Sequence, residues 1–127
     1  MTEWEKMLAG IPCDDRARQL EQRRLIAKKL FREYNRTTEE DMPKRKEIMQ
    51  KLFRSVGENV FIEPDFICEF GNNIKIGNDV FINFGCIIFD CGEVTIGDNT
   101  MFGPRAGIYT TNHALDAEER VKNICIS

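Results

Sequence analysis

Only one histidine, His113, stands in the 127 residues, so a metal or proton-relay site built from several imidazoles is excluded. Long apolar runs are also missing. The longest is Cys86-Ile87-Ile88-Phe89, far short of the roughly 20 residues a membrane-spanning helix needs. The opening Met1-Thr2-Glu3-Trp4-Glu5-Lys6 is charged and leads into no apolar stretch, so a secretory signal is not expected. The five cysteines, at 13, 68, 86, 91 and 125, form no C-x-x-C pair and are odd in number, which predicts reduced thiols in a cytoplasmic protein. Neither sign of charge dominates, with Lys+Arg 18 against Asp+Glu 21, and no nucleic-acid or membrane partner is implied. The basic residues crowd into the first half, interleaved with acids, as on solvated helix faces.

The first half carries a helical period. Leu20, Ala27, Leu30, Phe31 and Tyr34 share one face of a segment expected over 14–35. Thr37 followed by Glu40 has the spacing of a capping box and predicts the start of a second helix, with Ile48, Met49, Leu52, Phe53 and Val56 as its apolar stripe. Pro43 falls early enough to be tolerated in its first turn. A short additional helix is expected over 3–9.

Beyond Gly57 the rhythm changes. Ile76, Ile82 and Ile88 are six residues apart, and after a two-residue offset Ile96, Phe102 and Ile108 repeat the spacing. Ile62, Cys68 and Ile74 extend the beat upstream. Gly77, Asn83, Gly97 and Gly103 follow aliphatic or aromatic members of the series, and Val80, Cys86, Thr100 and Ala106 come four positions after them. Such a repeat builds a parallel β-helix, three short strands to a triangular coil, with the large residue pointing inward and stacking on its equivalents. The small residue fits beside a corner, and Gly or Asn is expected there for backbone geometry costly to other residues. Cys68 and Cys86 fall on inward positions and are expected to be core residues. An antiparallel meander is disfavoured, because turn residues recur every six positions rather than every eight to twelve.

The stretch around Tyr109-Thr110-Thr111-Asn112-His113-Ala114 breaks the rhythm and is expected to leave the coil as a loop, where function concentrates. A neutral imidazole on it could take a proton from a hydroxyl near neutral pH. The terminal Ile124-Cys125-Ile126 has the character of a further strand.

The string from Ile96 through Tyr109-Thr110-Thr111-Asn112-His113-Ala114-Leu115-Asp116 resembles the maltose and galactoside O-acetyltransferases of the hexapeptide-repeat acyltransferase superfamily. Lys6-Met7-Leu8-Ala9-Gly10, Tyr34-Asn35, Ile62-Glu63-Pro64 and Phe81-Ile82-Asn83-Phe84 carry the same resemblance, in order, over nearly the whole chain. It implies a mainly β fold, a left-handed parallel β-helix of about three coils over 57–127, behind a helical acceptor-side segment over 1–56. It further implies an acetyl-CoA-dependent transferase acting on a sugar hydroxyl, without a metal, cytoplasmic, and assembled as a trimer with active sites between subunits. Catalysis would fall to His113 as general base and Asn83 as donor to the tetrahedral intermediate. Asn83, Asp15 and Arg24 would contact the acceptor, with Asp14 as the alternative to Asp15.

Two positions depart from the family pattern: Ala114 stands where proline is common, and Cys91 where an acceptor-contacting aspartate is expected beside Asp90. Relatives continue into further coils that supply most of the CoA groove. That groove is therefore expected beyond Ser127, and no residue of this chain is assigned to it. The alternative is a catalytically silent repeat scaffold lacking those coils. A zinc hydratase on the same kind of β-helix would need three histidines and is set aside.

Overall fold

The structure, a computed structural model, describes residues 1–110 together with the backbone of Asn112–His113 and Ile124–Ile126. Three helices come first: α1 at Glu3–Leu8, α2 at Arg18–Asn35 and α3 at Met42–Leu52, with a two-residue strand β1 at Cys13–Asp14 between the first two. None of the described helices is long and apolar enough to cross a membrane. The strands of the repeat follow as β2 (Ser55–Val56), β3 (Phe61–Ile62), β4 (Phe66–Cys68), β5 (Ile74–Ile76), β6 (Phe81–Ile82), β7 (Cys86–Phe89), β8 (Val94–Ile96), β9 (Met101–Phe102) and β10 (Gly107–Tyr109). They form three parallel sheets of three strands, ordered β2-β5-β8, β3-β6-β9 and β4-β7-β10. Each sheet is one face of a triangular prism, and each coil contributes one strand to every sheet.

The register explains the offset in the sequence beat. Ile62 pairs with Ile82 and Ile82 with Phe102; Cys68 pairs with Ile88 and Ile88 with Ile108; Ile76 pairs with Ile96. The two extra residues per coil fall at the corner after β4 and β7, the corner that faces α1 and the start of α2. Ile62, Ile74, Ile76, Ile82, Ile88 and Ile96 are buried in one core with Val80, Cys68 and Cys86. Phe102, Ala106 and Ile108 of the third coil are only partly buried, because their strands are the outer ones of each sheet.

The corner residues correct one expectation. Gly77 has no left-handed backbone; a Cβ there would lie 2.3 Å from Asp98 Oδ1, and one at Gly57 would lie 2.4 Å from Asn78 Oδ1. Glycine is therefore required for close approach between coils. At this corner the left-handed residues are Asn59, Asp79 and Asn99, at φ 56–58°, types that tolerate this region better than most; Arg105 is also left-handed, at φ 60°. Each of the three is tied to a neighbouring coil: Asn59 Nδ2 donates to Asp79 Oδ1 at 2.8 Å, Asp79 N donates to Glu58 O and Asn99 N donates to Asn78 O, both at 2.9 Å.

The helices close the first coil. Tyr34 Oη donates to Ile62 O at 2.6 Å, and burial pushes the phenol pKa up to about 12. The Asn35 amide occupies the free edge of β4 like a missing strand: Nδ2 donates to Phe66 O and Oδ1 accepts from Phe66 N, both at 2.9 Å. Phe66 packs edge-to-face against Phe53 with ring centroids 5.7 Å apart.

Several boundaries differ from expectation. α2 begins at Arg18 rather than at Asp14, because Asp14 is in β1 and its Oδ1 accepts from Arg16 N, turning the chain before the helix. The capping box is one residue later than expected, Thr38 with Asp41, and starts a 3-10 turn at Glu39–Asp41 that leads into α3. Thr37 instead donates to Tyr34 O and accepts from the buried Arg45 Nε. Pro43 lies in the first turn of α3 as expected. Val56 belongs to β2, not to the helical stripe. The expected short helix over 3–9 is α1, capped by Thr2 and Glu5.

The largest correction concerns the excursion after β10. Its backbone forms β11 at Asn112–His113 and β12 at Ile124–Ile126, antiparallel to each other, where a loop was expected. β12 also pairs antiparallel with β1, giving a fourth sheet ordered β1-β12-β11. Ile124-Cys125-Ile126 is a strand, as expected, and it belongs to the fourth sheet rather than to the prism. Ala114 and the His113 side chain lie outside the described residues.

Candidate functional site

The fourth sheet ties the N-terminal segment to the excursion. Cys13 is in register with Cys125, and Cys125 with His113, so β1 and β11 flank the same strand. At the usual interstrand spacing this sets the two outer strands about 10 Å apart. Asp14 and Asp15 leave β1 directly toward α2.

Asp15 and Arg24 come together at that point. Arg24 Nη2 donates to Asp15 Oδ1, and Nη1 donates to Asp15 O at 2.7 Å. A third donor, Nε, reaches Glu69 Oε1 at 2.6 Å, a partner that sequence reasoning missed. The guanidinium also stands over the Phe70 ring, 5.2 Å from its centroid. Burial alone would lower the Arg24 pKa; the hydrogen bond to Glu69 and the charges of Asp15 and Glu69 outweigh it, so the net shift is upward and the cation is held more firmly. Asp14 is exposed, its backbone N donating to Glu3 Oε2 at 2.6 Å, and its carboxylate is used in the turn to Arg16.

Beneath this cluster the extra residues of the corner are fully packed. Asp90 is buried, and its carboxylate accepts from the backbone N–H of Glu69, Phe70 and Asn73 at 2.9–3.2 Å. Desolvation raises its pKa, an effect that these backbone donors oppose. Cys91 is buried beside Trp4, Met7, Cys13, Leu20 and Phe70. Neither side chain is an open carboxylate facing solvent. Trp4 of α1 covers the corner, edge-to-face with Phe70 at 5.0 Å and with Arg23 stacked 3.9 Å over its own ring.

Asn83 lies elsewhere. It follows β6, and its corner is separated from the Asp15–Arg24 cluster by the length of β7, on the order of 13 Å. Its Oδ1 accepts from Phe84 N at 2.9 Å, which fixes the amide, and among the described residues nothing accepts from its Nδ2. Phe84, beside it, is 50% exposed. One chain thus brings together Asp15, Arg24 and the strand of His113, and sets Asn83 at the opposite corner of the β4-β7-β10 face.

The profile of the maltose acetyltransferase hexapeptide capping motif matches residues 6–57. The chain is 34% identical to the galactoside O-acetyltransferase of Escherichia coli (strain K12), over 91% of this chain and 57% of that protein. It superposes on the crystal structure of a maltose O-acetyltransferase from Clostridium difficile 630 with a TM-score of 0.96 and 39% identity, covering 100% of this chain and 68% of that one. A hexapeptide-repeat acetyltransferase of Vibrio cholerae complexed with acetyl coenzyme A gives a TM-score of 0.85 at 36% identity, with 99% and 68% covered. The left-handed parallel β-helix expected from the sequence is the fold these structures share. The chain spans about three fifths of the length of the curated relatives it matches.

Proposed function

The chain belongs to the maltose and galactoside O-acetyltransferase family of hexapeptide-repeat acyltransferases, and from that premise we propose that it transfers an acetyl group from acetyl-CoA to a hydroxyl of a sugar-like acceptor. The observation that carries this reading is the sheet β1-β12-β11, which sets the strand of His113 two strands from the chain leading into Asp15 and Arg24. An acceptor held by Asp15 and Arg24 would present a hydroxyl toward the excursion. His113 takes the hydroxyl proton as the oxygen attacks the thioester carbonyl carbon. The tetrahedral intermediate then collapses to the acetyl ester, expelling the CoA thiolate, which recovers the proton from the imidazolium.

Asn83 is the donor to the oxyanion in this scheme, since its Oδ1 is already engaged and its Nδ2 is available. Its distance from the Asp15–Arg24 cluster favours a site closed by a neighbouring chain. The outer surface of the prism supports such an assembly. Ser55, Lys75 and Thr95 line one face outward, whereas Phe61, Phe81 and Met101 line the second and Ile67, Ile87, Phe89 and Tyr109 the third. The two apolar faces meet at the Asn83–Phe84 corner, an arrangement suited to burial in a trimer.

A catalytically silent repeat scaffold is the second reading. Release of free thiol from acetyl-CoA with maltose, glucose or a galactoside decides between them. Saturable, acceptor-dependent release supports the transferase. Release by a carboxyl-extended form alone favours the scaffold for this chain, and no turnover by either form removes the transferase reading.

A further inference from the structure

Four cysteines, at 13, 68, 86 and 125, stand on strands, and only two of them share a register position. Cys68 of β4 is paired with Ile88 and Cys86 of β7 with Phe66, so these two are offset along their sheet. Cys13 of β1, by contrast, is paired directly with Cys125 of β12, about a hundred residues away. Directly opposite Cα atoms in an antiparallel pair stand about 4.5 or 5.5 Å apart, depending on the hydrogen-bonding position. A disulfide spans Cα separations of about 4.4–6.8 Å, so either position brings the two residues within bonding reach. The neighbouring pair Asp14–Ile124 fixes this register, and a slip of one residue would destroy the match. On its other side Cys125 is in register with His113, so one row across the sheet runs Cys13, Cys125, His113. Anything that ties Cys125 to Cys13 therefore also holds the strand beside His113.

We propose that Cys13 and Cys125 are a redox modification site, which a peroxide converts to a disulfide stapling the His113 excursion to the N-terminal segment. The chemistry takes one peroxide. One thiol is oxidised to a sulfenic acid as the peroxide O–O bond breaks and water leaves. The second sulfur then attacks the first, forming the S–S bond and expelling the hydroxyl as a second water. Without oxidant the pair stays reduced, and a dithiol reductant reverses the staple. The proposal is independent of the acetyl-transfer reading.

The test is peptide mapping of the whole protein after hydrogen peroxide treatment, with thiols alkylated under denaturing conditions. The expected product is an intramolecular link between the peptides of Cys13 and Cys125, released by dithiothreitol. It should survive in Cys91→Ser, whose thiol lies in the same buried cluster as Cys13, and vanish in Cys125→Ser. Closing so long a loop should raise the unfolding midpoint of the oxidised wild type by about 5–15 °C, but not that of Cys125→Ser. Three results overturn the proposal: both thiols still alkylated after peroxide, Cys13 linked to Cys91 instead, or a link formed only between two chains. A linked protein with an unchanged midpoint overturns the stapling.

Discussion

Asp90 shows how a charged residue can belong to the architecture of a site rather than to its chemistry. Its buried carboxylate organises three backbone N–H groups of the coil before it. Because its folded pKa is raised, the folded protein holds the proton more tightly than the unfolded chain. The stability linked to this group is thus fully present below the ordinary carboxylate value near 3.9 and is lost as pH rises through the raised folded value. Comparing urea denaturation of wild type and Asp90→Asn at pH 4 and pH 7, the difference should move against the wild type at the higher pH; a shift in its favour would contradict the assignment. Asp15, Arg24 and Asn83 were legible only through the resemblance, since one chain of 127 residues does not mark which of its charges meet, whereas His113 also stood out as the single histidine on a stretch that breaks the repeat. Glu69 was not legible at all, because nothing in Cys68-Glu69-Phe70 signals a partner on α2.

The helices were legible from their apolar period, but their ends were not, because side-chain competition decides them. Asp14 turns the chain and delays α2, and Thr38 rather than Thr37 caps the next turn because Thr37 is held by Arg45. The Asn35 amide does more for the prism than any propensity could indicate, supplying the donor and acceptor that the edge of β4 lacks. Asn35→Ala should leave both Phe66 backbone groups unpaired and cost about 1–3 kcal/mol in chemical denaturation. An unchanged midpoint would show that the edge needs no such closure.

The prism as a whole was readable because its core is periodic: a buried row repeats the same residue class at each coil. The two-residue offset also has a physical reason, the wider corner that receives α1. The excursion was misread as a loop because β11 and β12 are too short to show alternation, and because β12 pairs with β1, about a hundred residues away. The apolar rows on two outer faces carry a prediction about assembly. Phe84→Glu, at the corner where those faces meet, should shift the protein from the proposed trimer to a monomer in sedimentation analysis while leaving its circular dichroism unchanged. A wild-type monomer would contradict this reading of the outer faces.

The most direct test is the steady-state rate of thiol release by wild type and His113→Ala across pH, with a saturating acceptor. A lost general base should lower turnover by about two to four orders of magnitude and remove a rise in rate through the imidazole range near pH 6.5. Turnover in His113→Ala equal to the wild type, with the same pH profile, would contradict the account.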